Sequence, residues 1–172
     1  MPIEPDTKDW TWVLQQPCAD CGFEADRVPA DQLPELLRST TERWSEVLRR
    51  DDVAERPSAD VWSPLEYGAH IRDVHRIFNE RVRLMVEQET PTFANWDQDE
   101  TAIAERYGEQ DPIEVELALI EAAGEVAGRY AAVGDAQWER RGLRSNGSAF
   151  TVASLGRYHL HDVVHHLWDV RG

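Results

Sequence analysis

The chain has 172 residues, a length suited to one domain of about 100–200 residues. Apolar residues make up 41% and charged residues 30%, with only nine prolines and ten glycines, which excludes a collagen-like or fully disordered chain. Eighteen basic against 33 acidic side chains leave a formal charge of −15, a field that repels phosphate backbones and anionic lipid, so neither nucleic acid nor membrane is an expected partner.

The opening residues carry no basic segment followed by an apolar run, and no stretch reaches the ~18 apolar residues of a membrane span. A cytoplasmic protein is the expectation. The two cysteines, Cys18 and Cys21, are too close in sequence to staple distant loops and are expected to stay reduced. Residues 1–30 read as an arm packing on the rest. Within it, Cys18-Ala19-Asp20-Cys21-Gly22 has a zinc-knuckle look, but a structural zinc wants four ligands and no second cysteine pair exists. A redox dithiol would need a βαβ setting that is missing here. The sequence therefore suggests an extended arm whose aromatics, from Trp10 and Trp12 to Phe23, and buried thiols cap the domain. The alternative is that one thiol approaches a metal pocket.

After Pro29-Ala30-Asp31, the residues Leu33, Leu36, Leu37, Trp44, Val47 and Leu48 fall mostly three, four or seven apart, which predicts a helix over about 31–50. Residues 51–59 lack periodicity and form a connection. Ser63-Pro64-Leu65-Glu66 then supplies an N-cap, a first-turn proline and a glutamate three residues after the cap, the pattern of a capping box. The stripe Leu65, Ile71, Val74, Phe78, Val82 and Met85 carries this second helix to about residue 87. Residues 90–111 form a long, lid-like connection with a short helix around 100–107.

Asp111-Pro112-Ile113-Glu114 repeats the cap pattern and opens a third helix over about 112–133. Glycines and Asn146-Gly147 break the periodicity between 134 and 148, where Trp138 and Leu143 are expected to fold back on the bundle. A fourth helix covers about 151–170, with Val152, Leu155, Val163, Leu167 and Trp168 apolar. Four helices of about five to six turns without an alternating strand run predict an all-α four-helix bundle over 31–172, carrying the N-terminal arm. Periodicity does not choose the topology, although the connection between the second and third helices is long enough for a crossover.

Six histidines stand in the chain: His70, His75, His159, His161, His165 and His166. Residues four apart stack on one helical face, so His161 and His165 project side by side, and His70 sits amid the second helix's apolar stripe. Three imidazoles from two helices leave open coordination positions, as catalytic rather than structural zinc-type sites do. Taken singly, a histidine on an apolar face is more often a hydrogen-bonded core residue. His75 lies about 140° around the helix from His70 and is not expected to reach the same ion; His159 and His166 are read with it as structural or surface residues. Asp73 and Asp169 are candidates to orient ligating imidazoles, and Tyr158 and Trp168 to wall a pocket.

Two segments carry a family resemblance. Trp62-Ser63-Pro64-Leu65-Glu66-Tyr67-Gly68-Ala69-His70-Ile71-Arg72-Asp73 and His161-Asp162-Val163-Val164-His165-His166-Leu167-Trp168-Asp169 resemble the second-helix and closing segments of the DinB-like superfamily, over roughly residue 31 to the end. That superfamily includes mycothiol-dependent maleylpyruvate isomerase and bacillithiol transferase relatives. The resemblance implies a bundle that binds one divalent metal through one residue of the second helix and two of the fourth, carried here onto His70, His161 and His165. The isomerase branch often has a glutamate where this chain has His161, so the departure is toward an all-histidine form. Three imidazoles suit zinc, nickel, iron or copper, and the resemblance points first to zinc or nickel. It further implies a metal-dependent thiol S-transferase or isomerase acting on a small molecule, with a low-molecular-weight thiol as cosubstrate and a homodimeric state. Metal-dependent hydrolysis and non-catalytic, stress-associated metal binding are the alternatives. No catalytic side chain beyond the ligands is assigned.

Overall fold

The first predicted helix is two: α1 (Leu33–Glu42) and α2 (Trp44–Leu48). The weak helix formers Ser39-Thr40-Thr41 precede the break, where the Arg43 N–H turns back to the Thr40 carbonyl. The computed structural model describes residue 3 and residues 8–172. The rest of the arm's start, 1, 2 and 4–7, lies outside the described residues.

The second long helix, α3 (Pro64–Glu87), begins at the expected capping box: Glu66 N–H donates to Ser63 Oγ at 3.2 Å and Ser63 N–H donates to Glu66 Oε2 at 2.8 Å. After it come a two-residue strand, β1 (Thr92–Phe93), and the short α4 (Gln98–Ala104). Asp111 caps α5 (Pro112–Ala131) by accepting the N–H groups of Ile113 and Glu114. A hairpin of β2 (Arg141–Arg144) and β3 (Ala149–Thr151) leads into α6 (Val152–Asp169), whose Thr151 and Ser154 form a second reciprocal box.

The mostly helical bundle is as expected, and the strands add a small three-stranded sheet to it. They are two to four residues long, too short for a period-2 pattern to declare itself. β2 pairs antiparallel with β3, opposing Gly142 to Phe150, and parallel with β1, opposing Thr92 to Leu143. Gly147, at φ +95°, makes the hairpin turn that Asn146-Gly147 announces. Trp138 folds back as expected and stacks on Tyr130, with centroids 6.2 Å apart, whereas Leu143 stays partly exposed.

α1 packs against α5 and α6, and α3 packs against the same two. The first and second long helices therefore sit on opposite corners, as do the third and fourth. The long connection after α3 joins neighbours, and it is the segments after α2 and after α5 that cross the bundle diagonally. This corrects the expectation that the crossover could lie between the second and third helices. The small sheet binds the connection after α3 to the hairpin before α6, and Asn95 N–H donates to Ser145 Oγ at 2.8 Å, which fixes the neighbouring Trp96 above α3 and α6. No helix among the described residues is long and apolar enough to cross a membrane.

Within the core runs one polar chain. Thr41 Oγ1 meets His75 Nε2 at 2.9 Å, His75 Nδ1 meets His159 Nε2 at 2.9 Å, and the Tyr130 hydroxyl lies 3.4 Å from His159 Nδ1. These partners account for His75 and His159 as satisfied core residues.

Candidate metal centre

α3 and α6 are neighbours, so His70 faces the α6 residues that flank its core stripe. These are Asp162 and His166, four apart and hence on one face. One ligand atom from each of His70, Asp162 and His166 lies within 4.8 Å of the others. His166 Nε2 is 3.1 Å from Asp162 Oδ1, and His70 Nε2 is 3.8 Å from the same oxygen, too far for a hydrogen bond. Both nitrogens of His70 are buried without a hydrogen-bond partner. Such orphans are rare in a folded interior and mark a place built for a further group. Trp96 lies flat against His70, with centroids 5.4 Å apart and planes at 4°, and Trp62 closes another side at 5.4 Å.

Asp162 and Asp169 attract a positive charge, which His166 carries as its imidazolium and which a bound ion would supply in place of the Nε2 proton. Burial disfavours the imidazolium of His166, but Asp162 and Asp169 outweigh it and push its pKa up to about 9. Burial likewise opposes ionisation of Asp162, yet His166 and His70 hold its carboxyl well below the usual range. His70 is shifted down, chiefly by burial, and so is neutral as a ligand must be. Asp169 Oδ2 accepts from His166 Nδ1 at 2.8 Å, which leaves Nε2 aimed at Asp162. This carboxylate–imidazole relay is the usual support of a ligating histidine. Two imidazoles and a carboxylate with open positions are a donor set that catalytic zinc sites use, so the residues fit a divalent ion.

His161 and His165 belong to another cluster. Their ligand atoms and those of Cys18 and Cys21 all lie within 4.8 Å of one another, and Cys18 Sγ is 3.6 Å from His165 Nδ1. The expected ligand set of His70, His161 and His165 is thus divided: the latter two come together and His70 sits with Asp162 and His166. The arm is also not simply extended, since Trp10–Leu14 forms a 3₁₀ turn against α6.

A cleft of about 410 Å³ opens above α6 at His161, Asp162, His165 and His166, between the arm at Trp10, the connection at Trp96 and the hairpin at Arg144. Tyr158 lines it as expected, whereas Trp168 is half-exposed beside His165. Arg144 is held at the rim by Asn146 Oδ1 at 3.0 Å and Ser148 Oγ at 3.3 Å. Asp73 does not orient His70. It accepts from Arg72, Arg76 and the Tyr107 hydroxyl.

A family model described as the DinB superfamily matches residues 31–170. The chain belongs to the DinB superfamily. Its structure is similar to that of YfiT from Bacillus subtilis, described as a probable metal-dependent hydrolase with an unusual four-helix bundle topology. The two are 20% identical, with a TM-score of 0.68 over 84% of this chain and 83% of that chain, a likeness that shows the shared fold. No curated protein sequence matches the chain.

In this DinB superfamily member, α6 carries two pairs four apart, offset by one residue, and the structure brings Asp162 and His166 to His70 rather than His161 and His165. A signal was present. At about 100° per residue, His161 and His165 lie about 160° from Val163, nearly opposite the core stripe, whereas Asp162 and His166 lie within about 100° of it. The pair beside the core stripe is the one that can meet α3.

Proposed function

We propose that this chain is a metal-dependent enzyme in which His70, Asp162 and His166 hold one divalent ion, zinc or nickel, at the floor of the Trp96–Arg144 cleft. The observation that carries this reading is His70: a fully buried imidazole with two unpartnered nitrogens beside a carboxylate that already engages a second imidazole. When bound, such an ion lowers the pKa of a thiol or water and polarises a carbonyl. The protein's own groups do the rest. Asp169 fixes the tautomer of His166. Trp96 and Trp62 keep water off the His70 ring. Arg144 offers a fixed cation at the cleft mouth for an anionic substrate group, in a protein whose overall charge is otherwise negative.

The particular reaction proposed is transfer of a low-molecular-weight thiol to a small electrophile, or isomerisation through such an adduct. A second reading, metal-dependent hydrolysis, uses the same residues and is favoured by the description of YfiT. Elemental analysis of the purified protein and paired assays distinguish them: thiol-dependent consumption of chlorodinitrobenzene, and hydrolysis of activated esters. One activity should depend on added metal and be lost in His70→Ala. Asp169→Asn should bind the ion about 10–100-fold more weakly. Full occupancy without turnover of either substrate class would leave a binding protein, and unchanged occupancy in His70→Ala would refute the site.

A further inference from the structure

His161 and His165 take no part in the His70 site, yet both are buried on the face of α6 that points away from the bundle axis. What buries them is the arm. Trp10 lies 5.1 Å from the His165 ring and Phe23 lies 5.4 Å from the His161 ring, centroid to centroid. Between these aromatics the chain makes a tight turn. Gly22 N–H donates to the Cys18 carbonyl and Cys18 N–H to the Phe23 carbonyl, each at 2.9 Å, and Gly22 takes φ +74°, open to glycine at no steric cost. The turn places Cys18 and Cys21 beside the two imidazoles.

We propose that Cys18, Cys21, His161 and His165 hold a second ion, a structural zinc, that clasps the N-terminal arm to α6. Two thiolates and two imidazoles complete a tetrahedral shell, so the site is closed, as structural zinc sites are. Zn–S bonds of ~2.3 Å and Zn–N bonds of ~2.0–2.1 Å imply a sulfur–nitrogen separation of about 3.5 Å in a tetrahedron; Cys18 Sγ and His165 Nδ1 are 3.6 Å apart. Independently of the cysteines, His161 Nε2 is buried with no hydrogen-bond partner. A disulfide between Cys18 and Cys21 would leave that nitrogen orphaned. A zinc ion satisfies it.

The missing second cysteine pair is thus supplied by a histidine pair some 140 residues away in the chain. Adjacent faces of one helical segment then serve two ions, a closed one through 161 and 165 and an open one through 162 and 166. Because the arm also forms a wall of the cleft at Trp10, the clasp sets the shape of that cleft. The inference does not depend on the first site being catalytic, or on its binding metal at all.

Cobalt substitution of the full-length protein tests it, since thiolate ligation gives a sulfur-to-cobalt charge-transfer absorption. Wild type and His70→Ala should both show this band, and the Cys18→Ser/Cys21→Ser double variant should lose it together with one zinc per chain. Cobalt-saturated wild type without the band, its loss in His70→Ala, or a folded double variant holding as much zinc as wild type would overturn the clasp. Should the double variant fail to fold, modifying both thiols of the wild-type zinc protein with an organomercurial should release one zinc per chain. Release of none would equally overturn it.

Discussion

Burial lowers the basicity of an imidazole, and five of the six histidines follow that rule. His70 and His165 are shifted down, His75 to about 3, His161 to about 4 and His159 well below its ordinary value, each chiefly by burial. His166 alone goes up, because two carboxylates hold it. For His75, with a folded pKa below the unfolded value near ~6.5, the unfolded chain takes up its proton first as pH falls. Its contribution to stability is therefore whole above about pH 6.5 and is lost as pH falls toward about 3. Nitrogen-15 NMR at pH 5 should find His75 and His159 as neutral imidazoles joined by one shared hydrogen bond. An imidazolium spectrum for His75 at that pH would show that the Thr41–His75–His159–Tyr130 chain is wrongly described.

Among the elements, α3 has the most to lose from a single side chain. Glu66 closes the capping box on Ser63 and also accepts from Arg56. Burial raises its carboxyl pKa, but Arg56 and the Ser63 backbone outweigh that and bring it below the ordinary value. A depressed carboxylate stabilises above its unfolded pKa of about 4.3, and the contribution is lost as pH falls through the lower folded value. Glutamine can still cap, so Glu66→Gln removes mainly the charge on the Arg56 contact. Urea unfolding at pH 7 should show a cost of about 1–2 kcal/mol that shrinks as pH falls below about 4; a cost that does not change with pH would place the effect in packing instead. This helix start was legible because serine, proline and glutamate act on local backbone. The break at Arg43 was not, since the apolar spacing runs straight through it. β1 was hidden because its pairing partner lies in a connection about 50 residues away, and β2 and β3 because so few residues cannot show an alternating pattern. On α6 the i, i+4 rule found a pair but not its direction, which is fixed by how α6 rotates against α3 and by an arm that covers its outer face.

At the scale of the whole molecule, the diagonal connections bring the site together. They put α3 beside α6, so that one histidine of the second long helix meets an aspartate and a histidine of the fourth. The small sheet then carries Trp96 and Arg144 over that junction from two different connections. The resemblance that pointed to the superfamily was correct about the family and the fold, and the arm, which lies outside the matched residues 31–170, is what brings Cys18 and Cys21 to His161 and His165. An anomalous-scattering map at the zinc edge, from crystals of the zinc-loaded protein, bears most directly on the central claim. It should place an ion about 2.0–2.2 Å from His70 Nε2, His166 Nε2 and an Asp162 oxygen. A fully loaded protein with no ion there, or with His70 sharing its ion with His161 and His165, would contradict it.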